Sequence, residues 1–394
     1  MKTSTLLSLL SIILILGCND VNTTHTPMNH TPPTVEKITK NIEKHGDVRT
    51  DDYYWLNEKE NPEVIDYLER ENDYYQKMTA HTKDFQKELF QEMKARIKED
   101  DASLPYKLNG YYYITRFEKG KDYPIYTRKK DSLEAQEEIL FDVNQMAKGY
   151  SYYNLRGISV SPDNTMVSFG VDTLSRRKYT IYIKNLVTGK LMQEVIPLTT
   201  GGSTWANDNK TIFYSKKDEQ TLRSNQIFRH TLGQEPADDV NVFTEEDETF
   251  NTYVYKTKSK KYIVIGSTST LSSEYQILDA NTPNQKFKIF QPRERALEYS
   301  IAHYKENFYI VTNKDGATNF KLMKTPEDKT SKDNWVDEIA HRDDVLLEDI
   351  EIFKDYLVID ERTNGLNQMH ITIWDTTQPY FLPFDNETYR PSAM

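Results

Sequence analysis

The chain has 394 residues, a formal charge of −11 and a single cysteine. The acidic balance argues against nucleic acid as a partner, because phosphate contacts require a basic face, and one cysteine excludes a disulfide framework within the chain. Tyrosine is abundant (27) and glycine sparse (14), which suits twisted antiparallel sheets and argues against disorder.

Residues 1–17 open with Lys2, continue as an apolar run and end on a small residue, Gly17. This is the pattern of an export leader, too short to be a membrane span. Ile15-Leu16-Gly17-Cys18 resembles a bacterial lipobox, although Leu16 is bulkier than the usual small residue there. The resemblance implies lipidation of Cys18, a membrane anchor and a place in the cell envelope. Residues 18–36, with Thr31-Pro-Pro-Thr34, lack an apolar period and read as a flexible tether. His25 and His30 sit five apart with Pro27 between them, so no helix face would pair them as metal ligands.

Residues 37–103 read as a helical extension. Asn61-Pro62 is a helix cap with proline in the first turn, followed by Val64, Ile65 and Leu68 at helical spacing. Phe85, Leu89, Met93 and Ile97 advance in fours and make one apolar stripe, which calls for a covering surface.

From 104 to 389 one grammar repeats. Short β-branched or aromatic runs begin at Tyr111, Met166, Ile212, Tyr262, Phe308 and Tyr356, spaced 46 to 55 residues apart. Each is led in by turn chemistry such as Asn109-Gly110, Pro162-Asp-Asn164 or Asn207-Asp-Asn209, and each is followed by two further runs. Opening strands such as Gly157-Ile-Ser-Val160 precede most units. Four strands repeated at this period predict an all-β fold, a β-propeller with six visible four-stranded blades. A sandwich has no reason to repeat the same four-strand order six times.

The segment Arg49-Thr-Asp-Asp-Tyr-Tyr-Trp-Leu56, then Tyr67-Leu68, Glu71-Asn72 and Arg96-Ile-Lys-Glu-Asp-Asp101 resembles the N-terminal region of the prolyl oligopeptidase family, and within it the oligopeptidase B branch. The likeness runs on through Tyr123-Pro124, Ser161-Pro-Asp163, Asp218-Glu219, Leu222-Arg223 and His341-Arg-Asp-Asp-Val-Leu-Leu347, from about residue 37 to Tyr389. It implies a serine-type peptidase cutting short peptides after Arg or Lys. It also implies a seven-bladed propeller that gates an α/β-hydrolase domain, on which the N-terminal helices pack.

In such enzymes the catalytic Ser, Asp and His follow the propeller, so no catalytic residue is expected in this chain. Gly201-Gly-Ser203-Thr-Trp205 resembles half of a nucleophile elbow. Trp205 stands where the second glycine belongs, however, and Ala206-Asn-Asp-Asn209 makes a turn where a helix is required. His45, His81, His230, His303, His341 and His370 are dispersed without ligand spacing and read as surface or turn residues. Glu245-Glu-Asp-Glu248 reads as a solvated loop. No glycine-rich phosphate loop occurs, so no cofactor and no metal site is expected. Residues 390–394 diverge from the family, which suggests a reading frame interrupted after Tyr389. The expected partners are therefore short basic peptides, a membrane, and a seventh blade with its hydrolase domain supplied in trans. A polypeptide lacking those parts is expected to be inactive and marginally stable. The competing readings are a lipid-anchored propeller that binds proteins and the product of a truncated pseudogene.

Overall fold

The computed structural model describes residues 31–374, 380–384 and 388–389; Cys18, His25, His30 and the divergent tail lie outside them. The chain divides into two packing units, Met1–Lys98 and Glu99–Met394.

In the first unit a hairpin pairs Lys40–Lys44 with Asp47–Asp51. Its turn is His45-Gly46, both at positive φ (54° and 79°), as a two-residue hairpin of matching twist requires. Helix α1 (Pro62–Met78) starts where Asn61 accepts the Glu63 amide on its side chain at 3.0 Å, with the proline at its first position. Helix α2 (Lys83–Ala95) follows after one 3₁₀ turn. The stripe read from the sequence is exposed: Phe85, Leu89, Met93 and Ile97 all leave more than a third of their surface to solvent.

Among the described residues the second unit contains six four-stranded antiparallel blades in chain order. Blade 1 is Tyr106–Leu108, Tyr111–Arg116, Ile125–Lys130 and Glu137–Asp142. Blades 2 and 3 share one long strand, Leu191–Trp205. Its first half is the fourth strand after Asn154–Val160, Met166–Asp172 and Tyr179–Asn185. Its second half is the first strand before Thr211–Lys217, Ser224–Thr231 and Val240–Thr244. Blade 4 is Asn251–Lys256, Tyr262–Thr268, Ser273–Asp279 and Lys288–Gln291. Blade 5 is Tyr299–Tyr304, Asn307–Thr312, Lys321–Pro326 and Val336–Ile339. Blade 6 is Val345–Ile352, Tyr356–Thr363, Leu366–Ile373 and Tyr380–Phe381.

Burial explains the wording of the strands. The second strands of blades 2 to 6 lie between sheets and are largely buried. Met166–Asp172 is buried at every position, Ser168, Gly170 and Asp172 included, whereas in Tyr111–Arg116 of blade 1 only Tyr113 is. The third strand alternates, as in Tyr179–Asn185. Each seam between consecutive blades holds one apolar cluster. Leu140, Phe141 and Phe169 lie between blades 1 and 2, Ile181, Trp205 and Tyr214 between 2 and 3, and Phe213 and Leu278 between 3 and 4. Phe290, Tyr299, Phe308 and Trp335 join blades 4 and 5, and Tyr309, Leu347 and Ile359 join blades 5 and 6. A fully buried side chain of this size contributes about 1.5–3 kcal/mol, so the seams are the main stabiliser of the ring.

The shared strand departs from the sequence reading of four separate strands in every unit. Leu198 and Gly201 adopt positive φ (59° and 91°), and the register slips on either side of Thr199. The strand therefore bends without breaking.

Candidate functional site

The turns leading into the second strands carry a repeated conformation. Asn109, Asn164, Asn209, Lys260 and Lys305 all lie at positive φ, between 49° and 64°, a region asparagine tolerates well. These turns meet at one end of the ring. Asn164 donates to the Asn109 carbonyl at 3.0 Å, and the Asp163 amide donates to Asn209 Oδ1 at 2.9 Å. Lys260 of blade 4 reaches Asn109 of blade 1, while Lys258 of the same blade pairs with Glu351 of blade 6. Bonds between blades that are not sequence neighbours draw this end together around the axis. Lys256, Lys258, Lys260 and Lys261 concentrate positive charge there. Burial pushes the Lys256 ammonium down to about 8, helped by Lys260 and opposed by Asp208.

Three of the histidines read as surface residues are instead buried in polar knots. His303 spans the seam of blades 4 and 5, with Nε2 3.0 Å from Glu327 Oε2 and Nδ1 2.9 Å from Ser259 Oγ. The Glu327 carboxyl is held low first by Lys261, at 2.7 and 2.6 Å, with His303 and Tyr262 adding to it. It is therefore an acceptor, Nε2 carries the proton, and Nδ1 accepts from the Ser259 hydroxyl. Burial lowers the imidazole pKa, partly offset by Glu327. In blade 3, His230 Nδ1 lies 2.6 Å from Asp239 Oδ1, and Tyr214 donates to Oδ2 at 2.8 Å. Burial, and then Asp239, push the Tyr214 hydroxyl pKa up. In blade 6, Glu361 holds Arg342 and lies 3.5 Å from His370. Burial would raise the Glu361 carboxyl, but the bonds from His370 and Arg342 outweigh it and the group is lowered.

The acidic loop is corrected at Glu245 alone, since Glu246, Asp247 and Glu248 are exposed as read. Glu245 is 4 % exposed and takes both amino groups of Arg293, at 3.2 and 2.5 Å. That guanidinium lies 3.6 Å over the Phe250 ring, and Arg223 donates to the carbonyls of Glu245, Asp247 and Phe250. The loop is a staple between blades 3 and 4. A buried charge needs a partner, and here the partner lies 48 residues along the chain.

Ser203, the centre of the half-elbow, has its hydroxyl 2.7 Å from Ser168 Oγ. It sits on the second half of the shared strand, and Trp205 donates to the Ser159 carbonyl at 2.9 Å. The same strand explains the glycines of this segment. A Cβ on Gly157 or Gly170 would lie 2.3 Å from the Gly201 backbone, so three glycines let the two blades cross at close range. Among the described residues no group of histidine, cysteine and carboxylate side chains is arranged to hold a metal ion. No helix among them is long and apolar enough to cross a membrane.

A consecutive series of four-stranded antiparallel blades is the architecture of a β-propeller. The family model described as prolyl oligopeptidase, N-terminal β-propeller domain, matches residues 32–382, and the chain belongs to that family. Among individual relatives, dipeptidyl aminopeptidase BI of Pseudoxanthomonas mexicana is 39% identical over 368 residues, covering 89% of this chain and 51% of that protein. Protease 2 of Moraxella lacunata is 33% identical over 347 residues, covering 86% and 50%. In structure, oligopeptidase B from Leishmania major superposes with a TM-score of 0.82 at 30% identity, covering 88% of this chain and 51% of that one. The chain thus spans about half the length of the relatives it matches.

Proposed function

We propose that this chain is the propeller and N-terminal-helix half of an oligopeptidase B-like serine peptidase. In this reading it admits short peptides with basic residues to the hydrolase domain of such an enzyme. The observation that carries the reading is the family match across residues 32–382, together with a ring whose turns are drawn in at one end. A narrowed axial opening passes only chains that are short or unfolded. The exposed apolar stripe of α1 and α2 supports it too, because a patch of that kind marks a docking surface, and the covering surface would be the hydrolase domain.

The chain alone is proposed to be inactive. Incubating it with a fluorogenic Arg-Arg peptide should give no turnover, and adding a hydrolase domain of the same family should restore it. Turnover by the pure chain that disappears with Ser203→Ala would overturn this reading. Lipidation of Cys18 and residence in the cell envelope belong to the same proposal. Labelled palmitate should enter the expressed protein, and Cys18→Ala should abolish the label.

A further inference from the structure

A cleft of about 410 Å³ opens at the seam of blades 5 and 6, lined by Ser273, Glu298, Tyr299, Ser300, Val311, Phe320, Leu346, Leu347 and Glu348. Its position follows from the strands. Glu298–Ser300 and Leu346–Glu348 lie at the starts of two first strands, and Val311 lies at the end of a second strand. The cleft therefore faces the end of the ring opposite the lysine-rich turns.

Its walls are apolar and its charge is unbalanced. The hydroxyl of Tyr299 is engaged away from the cleft, donating to the Gln291 carbonyl at 3.0 Å and accepting the Tyr275 amide at 3.2 Å. The Tyr299 ring packs into the seam of blades 4 and 5 against Phe290 and Trp335, which leaves Val311, Leu347 and Phe320 as the apolar lining of the cleft. Glu348 is neutralised by Arg362 and accepts from Asn367 at 2.7 Å. Glu298 has no such balance. Its carboxylate takes a 3.3 Å bond from Asn313 Nδ2, and no lysine or arginine among the described residues is paired with it.

The cleft is also pre-shaped. Phe320 is held at φ 58°, a conformation that costs a bulky residue strain and persists only where the surroundings enforce it. Here they do. Asn319 donates to the carbonyls of Arg342 and Asp343 at 3.2 and 2.8 Å, and its own carbonyl accepts the Leu347 amide at 3.0 Å. Glu298 is fixed likewise, its amide on Asn313 Oδ1 at 2.9 Å and its carbonyl on the Thr312 hydroxyl at 2.8 Å.

We infer that this cleft is a binding site for a basic side chain of a peptide, an arginine or lysine. The alkyl stem would lie along Val311, Leu347 and the Phe320 ring, and the cationic head would meet Glu298. A planar guanidinium also stacks on aromatic faces, and the Ser273 and Ser300 hydroxyls can accept its remaining donors. An apolar chain with a neutral end would leave Glu298 desolvated without a counter-charge, so the cleft selects against it. The inference takes from the proposed function only the source of the ligand, a peptide; binding itself needs no hydrolase domain.

The test is ligand-observed NMR titration of the full chain with Nα-acetyl-arginine methylamide and with its citrulline counterpart, which keeps the shape and loses the charge. Arginine should bind saturably, and citrulline should bind about tenfold more weakly, as should arginine to Glu298→Gln. Equal binding of the two ligands to the wild-type chain, or no saturable binding of arginine, overturns the inference even if the variant fails to fold. Unchanged arginine affinity in a folded Glu298→Gln also overturns it. Arginine binding by a chain that gives no hydrolysis even after a hydrolase domain of the same family is added would sink the proposed function and leave this site standing.

Discussion

Replacing Gly170 with alanine tests how closely blades 2 and 3 cross. The added Cβ would sit 2.3 Å from Gly201 Cα and 2.4 Å from its carbonyl oxygen. Both are backbone atoms of the shared strand, so no side chain can swing aside to relieve the overlap. Forcing extra volume into a packed site costs about 1–3 kcal/mol, and the rigid neighbour puts this substitution at the upper end. Gly202 is the matched control. It is the next residue along the same strand, a Cβ there meets nothing within 4 Å, and its φ is not positive. Gly202→Ala should therefore be neutral, or stabilise by up to about 1 kcal/mol through the unfolded chain. Urea melts of both variants, followed by far-UV circular dichroism and tyrosine fluorescence, read the two differences directly when the probes coincide. Equal stability of the two variants would refute the close crossing and the bend at Gly201 that requires it.

Glu245→Gln takes from Arg293 its nearest carboxylate but leaves Glu274 and Asp247 at 3.8 and 3.9 Å, so it should lower stability by about 1.5 kcal/mol in the same melts. The pH dependence is set in part by His303. Its pKa is lowered in the folded state, so its contribution is fully present above the ordinary histidine value of about 6.5 and is lost as pH falls below it. The wild-type melting temperature should therefore drop between pH 7 and pH 5, and His303→Gln should flatten that drop. Asn61→Ala removes the acceptor for the Glu63 amide and should cost the N-terminal unit about 1 kcal/mol, seen as faster amide exchange in the first turn of α1.

The strands were legible because each blade repeats a local grammar. An asparagine or lysine turn followed by a run such as Tyr262-Ile-Val-Ile needs nothing from elsewhere in the chain to declare itself. The cap at Asn61 was legible for the same reason. The polar knots were not, since their partners are distant: His303 meets Ser259 from 44 residues away, and Arg293 meets Glu245 across 48. A histidine or glutamate carries no local mark of whether a distant partner will be waiting. The shared strand was hidden because Leu198 and Gly201 look like the punctuation of a loop. The cleft beside Glu298 was hidden because it is assembled from blades 4, 5 and 6 and from a phenylalanine in a conformation that no sequence pattern announces.

Because Leu191–Trp205 belongs to two sheets at once, blades 2 and 3 move as one stiff plate of seven strands. To part them, backbone bonds along a single strand would have to rupture. The other consecutive joints share no strand and are held chiefly by side chains, with isolated backbone bonds such as Leu347 to Asn319, contacts that can slide and re-form. Any breathing that widens the ring for an incoming chain should therefore occur at those joints, with the paired plate serving as the fixed jaw.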